Sequence, residues 1–118
     1  MKENKLVELS MDFSVDIINL VKYLKTNHET IIANQIGRSG TSIGANIHEA
    51  NYAHSKADFI AKFQIALKEC YETEYWLELM QKSEIFTDDV LKSLLHDCGA
   101  IRRMLISSIN TTKSNTGN

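Results

Sequence analysis

Gln35-Ile-Gly-Arg38-Ser-Gly-Thr-Ser42-Ile-Gly-Ala-Asn46-Ile-His-Glu49 is the stretch that decides the fold. Gln35, Arg38, Ser42, Asn46 and Glu49 are spaced 3, 4, 4 and 3 residues apart. At about 100° per residue, all five fall within an arc of roughly 80° on a helix. Ile32, Ile36, Ile43, Ile47 and Ala50 cluster on a separate arc, about 100° round from the polar row. A solvated helix face usually carries Lys and Glu. This row is built instead from short, directional hydrogen-bonding groups around one arginine, which points to a fixed polar network. Gly37, Gly40 and Gly44 each cost about 1 kcal/mol relative to alanine inside a helix. The expected compensation is close approach by another helix, because glycine removes the side chain that keeps a neighbour away.

Further helical patterns lie on both sides. Upstream, Phe13, Ile17, Leu20, Val21 and Leu24 form the stripe of a helix from Ser10 to Thr26, with Ser10 as candidate N-cap. Leu6 and Leu9 offer an extension back toward Asn4. The central helix spans Glu29 to Asn51. Downstream, Ser55-Lys-Ala-Asp58 resembles a capping box and opens a helix to Lys82. Phe59, Phe63, Ala66, Cys70, Leu77 and Met80 give it a heptad-like stripe, with Thr73 filling the gap. Thr87 is the N-cap candidate of the last helix, and Asp88 and Asp89 suit its positive end. Leu91, Leu94, Leu95, Cys98, Ile101, Leu105 and Ile109 carry that stripe to about residue 110. The expected architecture is all-α, an up-down-up-down antiparallel four-helix bundle over residues 1–110. A polar tail, 111–118, is expected to be disordered.

Composition agrees. The chain has 118 residues, no proline and only five glycines, which favours long helices over a many-turned sheet. No apolar run approaches the ~20 residues of a membrane span, and Met-Lys-Glu-Asn-Lys is no signal peptide. Cys70 and Cys98 sit on core stripes, as expected of free thiols in a reducing cytoplasm. A bacterial cytoplasmic protein is the default reading.

No reaction is legible. His48-Glu49 begins like a zincin motif, but Tyr52 stands where the second histidine belongs. None of His28, His48, His54 and His96 follows a glutamate at the third position before it, as the di-metal bundle pattern requires. Ser39 and Ser42 lack a supporting histidine, and the two cysteines are on core stripes where thiols are inert. No catalytic residue, metal site or cofactor is expected. The formal net charge of −2 gives no basic stripe for non-specific phosphate binding. Lys92, Arg102 and Arg103 on the last helix are the best candidates for nucleic-acid contact if any exists. Of Glu69, Glu72 and Glu74 on the third helix, Glu74 lies beside the core stripe and Glu72 off to the far side, and an inter-helix or inter-subunit pairing of Arg38 with one of these glutamates is expected. Gln35, Arg38, Ser42, Asn46, Glu49, Glu72 and Glu74 form the candidate structural network. Tyr52, Tyr71, Tyr75 and Trp76 add a further signal. Tyr75 and Trp76 fall off the heptad stripe, and aromatic residues left bare mark contact surfaces.

The run Gln35-x-x-Arg38-x-x-x-Ser42-Ile43-x-x-Asn46-Ile47-x-Glu49 resembles the signature of a small four-helix-bundle family of bacteria. Its members are encoded in intervening sequences of large-subunit ribosomal RNA genes. The likeness continues through Ser55, Phe59, Ala66 and Glu72-x-Glu74. Ala50 stands where the family usually has glycine, and His48 where it has a small residue. The resemblance implies a four-helix bundle that assembles as a ring, a homopentamer. The accessory proteins of diversity-generating retroelements are similar in fold and ring assembly. Those are basic, bind nucleic acid and contact a reverse transcriptase. The leading expectation is therefore a non-enzymatic, ring-forming interaction protein. The alternative is an RNA- or DNA-binding accessory protein acting with a nucleic-acid enzyme.

Overall fold

A computed structural model describes residues 2–115, which form four helices and no strand: α1 (Lys2–Thr26), α2 (Thr30–Ala50), α3 (Lys56–Ser83) and α4 (Asp88–Ser114). Connections this short fold each helix back on its predecessor, giving the expected up-down-up-down bundle. Phe13, Ile17, Ile36, Ile43, Phe63, Leu77, Leu91 and Ile101 meet along the axis and are essentially fully buried. Each such side chain contributes about 1.5–3 kcal/mol relative to exposure. Packing is close between α1 and α2, α2 and α3, and α3 and α4; α1 and α4 touch least. The bundle measures 52 × 20 × 20 Å, with its two short dimensions equal.

The glycines of α2 do admit a neighbour. A Cβ on Gly40 would lie 2.9 Å from both Cγ atoms of Ile17, and one on Gly44 would lie 3.3 Å from the Ser10 carbonyl oxygen of α1. The lost helix propensity is thus exchanged for contact between two backbones.

Several helix ends differ from the sequence expectation. Ser10 does not cap α1. The helix begins two turns earlier because Leu6, 1% exposed, extends its buried stripe. Ser10 is mid-helix, and its hydroxyl donates to the Val7 carbonyl at 3.0 Å. Ser55 does cap α3, accepting from the Asp58 N–H at 3.1 Å. The reciprocal bond is displaced by one residue, since Asp58 accepts from the His54 N–H at 3.2 Å. Thr87 occupies the N-cap position of α4, but its hydroxyl makes no capping bond. The tail expected from Thr111 is helical through Ser114. Thr112 and Ser114 satisfy their hydroxyls on carbonyls one turn back, at 2.8 and 3.0 Å, and the Lys56 ammonium donates to the Asn115 carbonyl. The rest of that tail, 116–118, lies outside the described residues. His28 (φ 65°) and Glu84 (φ 55°) turn the chain after α1 and α3 in the left-handed region, without glycine at either place.

Candidate functional site

The polar row of α2 lies along its seam with α3. Arg38 is its hub. One terminal nitrogen donates to both Glu69 carboxylate oxygens at 3.3 Å, and the other donates to Glu72. Glu72 also accepts from the Trp76 indole N–H at 3.0 Å. The Arg38 hydrogen bond, reinforced by the indole, holds the Glu72 carboxyl below the ordinary glutamate range, and Glu72 in turn raises the Arg38 guanidinium. The inter-helix pairing expected of Arg38 is present, with Glu69 and Glu72 as partners.

The remaining row does not join this hub side chain to side chain. The Ser42 hydroxyl donates to the Arg38 carbonyl at 2.6 Å, and the Asn46 amide donates to the Ser42 carbonyl at 2.9 Å. Both bonds stay inside α2 and tie its exposed edge to itself. Glu49 accepts from Lys62 of α3 at 3.2 Å, a second cross-helix pair. Gln35 is exposed and forms no side-chain bond among the described residues. Glu74 is a correction. It turns to α4 and accepts from Arg102 Nε at 3.1 Å. At about 100° per residue, two steps from Glu72 to Glu74 carry the side chain round α3 to its other neighbour.

The basic candidates separate in the same way. Lys92 is paired with Asp88 at 3.0 Å, one turn back on α4. Arg102 is paired with Glu74 and lies 5.7 Å from the centre of the Tyr71 ring. Arg103 is exposed and makes no ion pair among the described residues. Among the described residues, one of the three cations is thus left without an ion-pair partner.

Two buried polar contacts add to these. The Thr73 hydroxyl donates to the Ser39 hydroxyl at 2.9 Å, and both residues are fully buried. A threonine at a heptad core position opposite a serine among isoleucines is the signal for such a pair. Cys70 and Cys98 meet across α3 and α4, where the Cys98 thiol lies 3.6 Å from the Cys70 carbonyl oxygen. The contact with Cys70, then burial, pushes the Cys98 thiol up, which disfavours the thiolate needed for nucleophilic chemistry. Among the described residues no group of three or more His, Cys, Asp or Glu side chains is arranged to hold a metal ion. No described helix is long and apolar enough to cross a membrane.

The model of the 23S rRNA-intervening sequence protein family matches residues 2–107, from the start of α1 through most of α4. The chain belongs to this family. A solved crystal structure at 1.70 Å, of a protein of unknown function from the S23 ribosomal protein family of Bacteroides thetaiotaomicron, is similar throughout. It is 49% identical with a TM-score of 0.90, covering 93% of this chain and 99% of that one. No curated protein matches this chain. The family is one of unknown function, and the intervening-sequence fold is the four-helix bundle described above. In this chain Arg38 with Glu72, and Glu49 with Lys62, pair α2 with α3, and Glu74 pairs α3 with α4, while Ser42 and Asn46 bond within α2.

Proposed function

We propose that this protein is a non-enzymatic interaction module that works as a closed ring of identical subunits, with five as the expected number. The observation that carries this reading is apolar and aromatic surface left bare on separate sides of the bundle. Tyr71 and Tyr75 on α3 are 53% and 57% exposed, and Met11, Val15 and Ile18 form an exposed row on α1. A lone bundle of this size leaves such rows uncovered at a cost, and covering them with further copies removes it. Two different sides make head-to-tail contact possible, the kind of contact that forms a ring when the rotation between copies closes. The resemblance to ring-forming bundles supports the same number. The paired polar seams and the buried thiols support a scaffold rather than a catalyst, and free thiols fit a reducing cytoplasm. Nucleic-acid binding is the weaker reading, since Lys92 and Arg102 are already paired and the chain carries a net charge of −2.

Light scattering on the purified protein tests the reading. The expected mass is about five times the 13.4 kDa of one chain. A mass of one chain at every concentration refutes it.

A further inference from the structure

Resting on the ring reading above, we propose that the open seam between α1 and α4 is the socket for a second copy of this chain, and that Tyr71, Arg102 and Arg103 on the α3/α4 seam are the plug. Of the four seams between neighbouring helices, α1/α4 is the least closely packed among the described residues. Two grooves of about 440 and 200 Å³ run along it and meet at Asp16. The wall of the larger is mostly apolar, with Leu20, Leu94 and Val90, and that of the smaller is mixed, with Ala100 beside carboxylates and the buried Phe13 and Ile101 at its floor. Their rims carry Asp12 and Asp16 from α1 and Asp89 and Asp97 from α4. None of these four carboxylates makes an ion pair among the described residues. An apolar trough edged by unpaired carboxylates fits side chains with a flat apolar body and a cationic or hydrogen-bonding end. Arginine and tyrosine have that form.

The next seam round presents such a set. Gly99 has no side chain, and the guanidinium nitrogens of Arg103 and Arg102 lie 3.3 and 3.5 Å from where its Cβ would be. Two cations are therefore held side by side over one glycine. Glu74 neutralises Arg102, while Arg103 has no anion among the described residues. Exposed Tyr71 lies beside Arg102. The patch thus carries one surplus positive charge next to bare aromatic surface, complementary to the socket in both respects.

The two patches differ and lie on different seams that share α4, so a contact joining one to the other is head-to-tail, the kind of contact a ring requires.

Charge exchange tests the pairing, with light scattering for mass and circular dichroism for folding. Arg103→Glu, and separately Asp12→Lys with Asp16→Lys, should each raise the dissociation concentration of the ring at least about tenfold while leaving helicity unchanged. All three substitutions in one chain should restore the ring. Lys25→Glu, the same charge change at an exposed site off both seams, should leave it intact. A wild-type ring that Arg103→Glu does not weaken overturns this pairing and leaves the ring reading standing. So does a ring that Lys25→Glu weakens equally, or one that the combined chain fails to restore. A wild-type monomer overturns both.

Discussion

Replacing Gly40 by alanine should destabilise the protein, whereas the same change at Gly37 should not, although sequence alone treats the two positions alike. Both substitutions gain about 1 kcal/mol of helix propensity. At Gly40 the new Cβ would stand 2.9 Å from Ile17 Cγ1 and Cγ2 and 3.1 Å from its Cδ1. Ordinary contact begins near 3.4 Å, so three carbons overlap, two of them by about half an ångström. Ile17 is fully buried and β-branched, so it cannot rotate away. Relief requires α1 to move, and such overpacking costs about 1–3 kcal/mol. After the propensity gain, the net loss is about 1–2 kcal/mol. At Gly37 the only close atom is Val21 Cγ2 at 3.2 Å, on a half-buried side chain that yields with a small shift. Propensity then dominates, and stability should hold or rise by up to about 1 kcal/mol. Urea unfolding of the three proteins at one fixed concentration reads the difference, with mass checked in parallel because assembly adds to apparent stability. If Gly40→Ala proves as stable as the parent, the close approach of α1 and α2 described here is wrong.

Other expectations follow from the polar contacts. Thr73→Val and Ser39→Ala should each cost about 1–3 kcal/mol by stranding or emptying a buried hydroxyl site, and the double variant should cost less than their sum; additive costs in a double-mutant cycle would disprove the pairing. Arg38→Ala should cost no more than about 1 kcal/mol, because half of its side chain is in solvent and such pairs are screened. The folded-state pKa of Glu72 is lowered, so the stabilisation is present above the ordinary glutamate value of 4.5 and is lost as pH falls through the depressed one. The stability gap between parent and Arg38→Ala should therefore narrow on acidification below about pH 4.5, and a constant gap in acid titrations would count against the pair. Cys70 and Cys98 should resist alkylation at pH 8 in the native protein and react only as it unfolds, which thiol-labelling rates monitored alongside circular dichroism can test.

The helices and their order were legible because each depends on a repeated local pattern. The isoleucines around Gly40 keep their period across the glycines, and the Phe59-to-Met80 stripe keeps its own. Which side chains would meet was only partly legible. Arg38 had three carboxylates within reach in sequence, but the roll of α3 against α2 assigns Glu69 and Glu72 to it and sends Glu74 to Arg102. That roll is set by packing along the whole seam, not by residues near Arg38. The Ser39–Thr73 pair was hidden for a similar reason, since each looked like an isolated interruption of an apolar stripe until both were placed. The end of α4 was misjudged because Thr112 and Ser114 are poor helix formers by propensity, yet bond back into the helix where Ser108 and Ile109 anchor it.

The connectivity of the bundle also bears on how fast it forms. Every closely packed pair of helices is joined by a short connection, and the one pair brought together from opposite ends of the chain, α1 with α4, is packed least. Three helical hairpins therefore form in succession with little entropy spent on closing long loops. Chains whose contacts are this local reach their folded state in microseconds to milliseconds. For the ring proposed above, association of copies, which depends on concentration, would then be the slow step after folding.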